Sequence, residues 1–221
     1  MRSIADMGGM QGFGPVDRAD DDTRFKAEWE AKTFAVNLLS LAAGCFNIDE
    51  SRYSMENMPP ADYLTTSYFE HWLYSLEDLL ISRASLPRRN IGRGSPNLPK
   101  RRLAMLPKEM VAIAIATGAP TLRAIGTAPK FKVGDDIMTT NDHVSTHTRL
   151  PGYARDKRGT IVGYEGAHVF PDAHSAGRGE CPDHLYRVRF DSETLWGKGS
   201  DGPGAVYLSL WESYLVSGDV S

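Results

Sequence analysis

Apolar positions along the chain repeat with two different periods, and the change falls near residue 126. From Arg24 to Ala43 the spacing is helical, with Phe25, Trp29, Val36 and Leu39 on or near one face and Gly44 as the stop. The acidic run Asp20-Asp21-Asp22 precedes this helix, where negative charge is favourable. Phe25 and Trp29 are four residues apart and are expected to pack in the core. Asn47-Ile48-Asp49-Glu50 offers an N-cap with an acid three residues on, which predicts a short helix over about 49–58 that halts before Pro59-Pro60. Ser67 and Glu70 form a second capping box. The helix it opens runs to about Ala84, with a stripe of Phe69, Trp72, Leu73, Leu76, Leu79 and Leu80. Pro107 to Gly118 reads as a short apolar helix carrying Met110, Val111, Ile113, Ala114 and Ile115.

Beyond this point the pattern turns to strands. Phe131–Met138 reads as a strand, a tight turn at Gly134-Asp135 and a second strand. Gly159–Gly163 is β-branched between glycines. Leu185–Phe190 alternates cleanly, with Tyr186, Val188 and Phe190 on one face. Ala205–Leu210 follows and Tyr214–Val216 closes. Short strands at this density predict a small SH3-like β-barrel. The fold class is therefore α+β, with a mainly helical N-terminal region followed by a C-terminal SH3-like barrel.

Two stretches carry neither period. Residues 1–24 are too glycine-rich for a helix or interior strand, and Met7, Met10 and Phe13 make them too apolar for a simple solvated tail. Such an arm suits lying along a partner's surface. No Gly-Lys-Ser/Thr follows and no strand precedes it, which argues against a nucleotide loop. Residues 86–107 hold four prolines and six Lys/Arg side chains and read as a linker. The expected division is an extended arm over 1–24, a helical domain over 25–118 containing the linker, and a barrel domain over 126–221.

Composition narrows the function. The 221 residues are 41% hydrophobic and 24% charged, as in a packed soluble protein. The formal net charge of −3 argues against a dedicated nucleic-acid binder, and the basic linker has no interleaved aromatics for base stacking. No apolar run approaches the roughly 20 residues of a membrane span, and the N-terminus has no apolar signal region. Two cysteines, Cys45 and Cys181, fit a reducing cytoplasm and form no thiolate cluster. The six histidines contain no His-Glu-x-x-His pair, so the ligands of any transition metal are expected in another chain.

Three places carry candidate chemistry. His143, His147 and Arg149 precede Pro151 at the start of the barrel, either as a binding loop or as a solvated rim. Arg52 sits on the short second helix, where a lone arginine ordinarily faces solvent. Tyr68, His71 and Trp72 share one turn, and His71 reads equally as a hydrogen-bonded core residue or as part of a site.

The same places carry a resemblance. Thr146-His147-Thr148-Arg149-Leu150-Pro151-Gly152-Tyr153-Ala154-Arg155-Asp156 is similar to a Gly-His-x-Arg-Met-Pro-x-Tyr-x-Arg-Gly run in the nitrile hydratase β-subunit family, with Thr146, Leu150 and Asp156 as departures. Asp49-Glu50-Ser51-Arg52-Tyr53-Ser54-Met55-Glu56-Asn57-Met58 resembles that family's Asp-Glu-x-Arg-Tyr/Phe-x-x-Glu-x-Met. Phe25–Glu30, the Gly8–Pro15 arm and Asp191–Gly197 resemble family segments as well. The likeness covers nearly the whole chain and is weakest over about 85–125.

The resemblance implies a β subunit that hydrates nitriles to amides only together with an α subunit, as an α2β2 assembly. It implies a non-corrin cobalt or low-spin non-haem iron held by the α subunit's cysteines and backbone amides, with none of the metal ligands in this chain. It implies that Arg52 and Arg149 hydrogen-bond the oxidised cysteine sulfurs and that Tyr68 orients groups at the nitrile. Ile48, Ser51, His71, Trp72 and His147 then line or support the pocket. Three other readings stay open: a thiocyanate hydrolase-type subunit, a metal-delivery accessory protein, and an SH3-like nucleic-acid-binding module.

Overall fold

The computed structural model describes residues 3–10, 12–15, 23–84, 106–199 and 204–218. Asp20–Asp22 and all but the last two residues of the expected linker lie outside them. The chain divides into a helical unit, Ser3–Ala5 with Met10–Ala119, and a sheet unit, which takes Asp6–Gly9 and Pro120–Ser221.

The helical unit contains α1 (Glu28–Ala42), α2 (Ile48–Glu56), α3 (Pro60–Thr65), α4 (Tyr68–Ala84) and α5 (Lys108–Thr117). Local chemistry sets the boundaries. The Glu30 carboxylate reaches back to the amides of Lys26 at 2.5 Å and Ala27 at 3.3 Å, and Gly44, at φ +66°, ends α1. Asn47 caps α2 by accepting from the Asp49 and Glu50 amides at 3.0 and 2.9 Å, and Glu50 returns a bond to the Asn47 amide at 2.8 Å. Pro60 occupies the first turn of α3, a helix that the periodicity does not announce. Glu70 accepts the Ser67 amide at 2.6 Å where α4 begins.

The packing of α1 departs from the expected pattern. Its buried stripe is polar, Glu30, Thr33, Asn37 and Ser40, while Trp29, Val36 and Leu39 are exposed. Asn37 explains part of this inversion, since its side-chain amide donates to the Trp72 carbonyl of α4 at 3.2 Å. The apolar core of the unit is small, with Phe46, Leu76 and Leu79 buried and Leu41, Cys45 and Leu80 packed on them. The apolar residues Met110, Ile113 and Ile115 of α5 are exposed as well.

The sheet unit holds β1 (Leu122–Arg123), β2 (Asp136–Thr139), β3 (Arg158–His168), α6 (Pro171–His174), β4 (Asp183–Asp191), α7 (Ser192–Trp196), β5 (Ala205–Trp211) and β6 (Leu215–Ser217). Every ladder is antiparallel, in the order β5-β4-β3-β2-β6, with β1 on the far half of β3. The alternation expected for 185–190 holds: Tyr186, Val188 and Phe190 are all fully buried. They form the core with Ile137, Leu150, Ile161, Leu210 and Tyr214. Each such side chain stabilises the unit by about 1.5–3 kcal/mol.

Two sequence expectations change here. Phe131–Val133 is not a strand, because the Asp135 carboxylate takes the Lys132 amide at 3.0 Å and folds the segment into a turn. The sheet does not close into a barrel either. Consecutive strands β5 and β6, joined by a 3-10 turn at Glu212–Tyr214, run to opposite edges, and no ladder joins them among the described residues. Register shifts at Ile161/Gly163 and Tyr164/Gly166 curl β3 without completing that closure.

Candidate functional site

The site expected around Arg52 begins with the way α2 meets α4. Ser51 and Ser75 are buried and share a hydroxyl pair at 2.8 Å, and Ser75 also donates to the Ser51 carbonyl at 3.1 Å. One turn on, the Ser54 hydroxyl donates to Asp78 at 2.7 Å. These polar contacts fix the rotation of α2, so that Ser51 and Ser54 face inward while Ile48 and Arg52 are exposed. Arg52 is braced from below. Its Nη1 donates to Asp49 Oδ1 at 3.2 Å, and the Asp49 side chain is 5% exposed against 45% for Arg52. A buried carboxylate three residues back aligns one edge of the guanidinium fork and leaves the side chain facing out.

The first two turns of α4 carry the aromatic residues. Tyr68 packs its ring against Phe69 at 5.2 Å and Trp72 at 5.7 Å, and is itself 66% exposed. Trp72 stands on Phe34, and Phe69 on Phe25. His71 stacks on Tyr63 at 4.5 Å, and its Nε2 meets the Tyr63 carbonyl at 2.9 Å. Burial, then the nearby Glu56 carboxylate, pushes the Tyr63 phenol up. His71 thus packs on Tyr63 one turn from Ser75.

His147 and Arg149 belong to the sheet unit. His147 and Thr148 are buried and Leu150 is in the core, so Arg149 is the half-exposed member of a packed segment. Its backbone amide donates to the Tyr214 hydroxyl at 3.1 Å, and that hydroxyl donates in turn to Asp172. Burial raises the Asp172 carboxyl, although Tyr214, Thr148 and the nearby His147 act to lower it. The Tyr214 phenol is driven far upward by burial and by the Asp172 charge. His143 is exposed and accepts from Arg155 Nη1 at 3.1 Å.

The structure thus gathers Ile48, Ser51, Arg52, Tyr68, His71 and Trp72 on two packed helices of one unit, and His147 and Arg149 on one loop of the other. Residue patterns missed the supports. Asp49 was readable from its i,i+3 spacing to Arg52. Tyr214 and Asp172 reach Arg149 only through the fold.

Among the described residues no three His, Cys, Asp or Glu side chains converge as a metal site. Cys45 and Cys181 are free thiols in separate units. The described residues of this chain therefore offer no ligand set that fits a transition metal. No helix among the described residues is long and apolar enough to cross a membrane.

Comparison with known proteins covers almost the whole chain. Residues 1–118 match the family described as nitrile hydratase beta subunit, N-terminal, and residues 120–217 match nitrile hydratase beta subunit, C-terminal. The chain is 37% identical to the cobalt-containing nitrile hydratase subunit beta of Pseudonocardia thermophila, over 97% of this chain and 96% of that one. It is 35% identical to the low-molecular weight cobalt-containing nitrile hydratase subunit beta of Rhodococcus rhodochrous, over 98% and 99%. It is 36% identical to the nitrile hydratase subunit beta of Pseudomonas putida, over 97% and 99%. A solved thiocyanate hydrolase from Thiobacillus thioparus aligns over 42% of this chain and 78% of its own, at 26% identity and a TM-score of 0.39.

Proposed function

The chain belongs to the nitrile hydratase β-subunit family, and from that premise we propose that it hydrates nitriles to amides in complex with a partner α subunit, at a site the two chains complete together. The single observation that carries the proposal is the family match, which runs over both units and so takes in both Arg52 and Arg149. The bracing of each arginine agrees with it: Asp49 aligns Arg52, and Tyr214 holds the backbone of Arg149.

In this reading Arg52 and Arg149 donate hydrogen bonds to oxygens on oxidised cysteine sulfurs of the α subunit. Arginine suits the task because it stays charged at any working pH and its planar fork holds oxygens at fixed angles. Bound by the α subunit, low-spin iron or non-corrin cobalt supplies the Lewis acidity that nitrile hydration needs. The exposed Tyr68 orients groups around the nitrile, Ile48 and Trp72 line its pocket, Ser51 and His71 support it, and His147 supports the interface with the partner chain through hydrogen bonds. Water adds its oxygen to the nitrile carbon, and its two protons end on the amide nitrogen. The complex is read as a cytoplasmic α2β2 lyase. The helical region 25–118 and the sheet region 126–221 are read as its two β-subunit domains.

The test is to co-express the chain with its partner, assay the purified complex for nitrile hydration, and repeat with Arg149→Lys. The reading expects an active complex and a variant that assembles normally but turns over about 100-fold more slowly. Full activity in the variant would remove Arg149 from the site.

A further inference from the structure

The glycine-rich arm has a role that its sequence did not announce. In the sheet unit, Asp6–Gly9 lies along the segment that follows Arg149. Asp6 Oδ2 accepts the Gly152 amide at 2.7 Å, three residues after Arg149. Gly8 and Gly9 then press flat on an aromatic pair, Tyr153 and Trp196, whose rings are 5.1 Å apart. A Cβ on Gly8 would stand 2.4 Å from Tyr153, and one on Gly9 would stand 2.4 Å from Trp196, at a φ of +77° that L side chains rarely adopt. Gly152 is fitted from the other side, since a Cβ there would come within 2.9 Å of Asp6 Oδ2. Burial, then the Asp6 charge, raises the Tyr153 phenol, as expected for a ring covered by the arm. The Arg149 segment is thus fastened twice, by Tyr214 at the Arg149 amide and by the arm at Gly152.

We propose that Asp6 and the Gly8-Gly9 pair form a clasp that sets the position of the Arg149 segment, making Asp6 a positioning residue for the reaction. The proposal rests on the function assigned to Arg149 above. Asp6 touches no reacting atom in this scheme. Its carboxylate replaces water as the acceptor for the Gly152 amide, and so narrows the range of backbone positions from which Arg149 can donate. The two glycines allow the backbone to approach the rings closely enough for that bond to form.

The experiment uses the full chain purified in complex with its partner, as wild type, Asp6→Ala, Asp6→Asn and Gly9→Ala. Amide hydrogen exchange is read in peptides covering 148–154, alongside kcat, KM and Tm. For Asp6→Ala the expected result is about tenfold faster exchange in that segment and about tenfold lower kcat. KM should move less than about twofold, with little change in Tm. Asp6→Asn keeps an acceptor oxygen for the Gly152 amide and restores both readouts. Gly9→Ala reproduces the faster exchange by lifting the arm off Trp196. Wild-type exchange over 148–154 in both Asp6→Ala and Gly9→Ala would overturn the clasp, as would a loss of kcat that Asp6→Asn does not restore. A wild-type complex that hydrates no nitrile would instead overturn the assigned function and with it the positioning role, while the exchange data would still decide whether the clasp exists.

Discussion

The Tyr214 hydroxyl takes the backbone amide of Arg149 at 3.1 Å and passes its own proton toward Asp172. Replacing Tyr214 with Phe keeps the ring and removes both bonds. It leaves the Arg149 amide without this acceptor and the buried Asp172 without this donor. The expected loss is about 1–3 kcal/mol, read from the urea midpoint of the complex, with turnover reduced as well. An unchanged midpoint would mean that the Arg149 segment does not depend on this hydroxyl.

Asp172 makes stability pH-dependent. Burial raises its carboxyl above the ordinary value despite Tyr214, Thr148 and His147. The folded state therefore holds the proton more tightly than the unfolded state, and its stability falls as pH rises through the window between the unfolded and the raised folded value. Asp172→Asn keeps an acceptor for Tyr214 without the charge. Its stability relative to wild type should grow as pH rises from about 4 to 7. A difference that stays flat across that range, measured by denaturant titration, would contradict the burial of a charge there.

Asn47 holds the first turn of the helix that carries Arg52. Its side chain accepts from two amides, those of Asp49 and Glu50, and an alanine accepts neither. Asn47→Ala should cost about 1 kcal/mol, seen as a fall in Tm of about 2–4 °C, and Asn47→Ser should recover most of it. An unchanged Tm in the alanine variant would show that tertiary packing alone sets this helix start.

Arg52→Lys keeps the charge and loses the fork. The side chain can still approach Asp49, so assembly should be normal, while turnover of the purified complex should drop about 100-fold. Unchanged turnover would make Arg52 an ordinary exposed cation.

Much of this architecture was legible in the chain because it is written locally. The Asn47–Glu50 capping box marks the start of α2, and the alternation of Tyr186, Val188 and Phe190 marks the buried face of β4. What was not legible depends on distant partners. Arg149 meets Tyr214 across 65 residues and Gly152 meets Asp6 across 146. Helix α1 shows the limit of periodicity. Phe25 and Trp29 were expected to pack in the core, yet the Asn37 stripe is buried and Trp29, Val36 and Leu39 are exposed. At Phe131–Val133 the side chain of Asp135 outweighed strand propensity, a contest that apolar pattern alone does not register.

The most direct test of the β-subunit account is native mass spectrometry with elemental analysis on the tagged chain, recovered from a host that co-expresses the neighbouring genes. The account predicts recovery with one partner chain of similar size and a stoichiometric iron or cobalt. Recovery of the chain alone, stable and metal-free, would contradict it and leave Arg52 and Arg149 as surface charges.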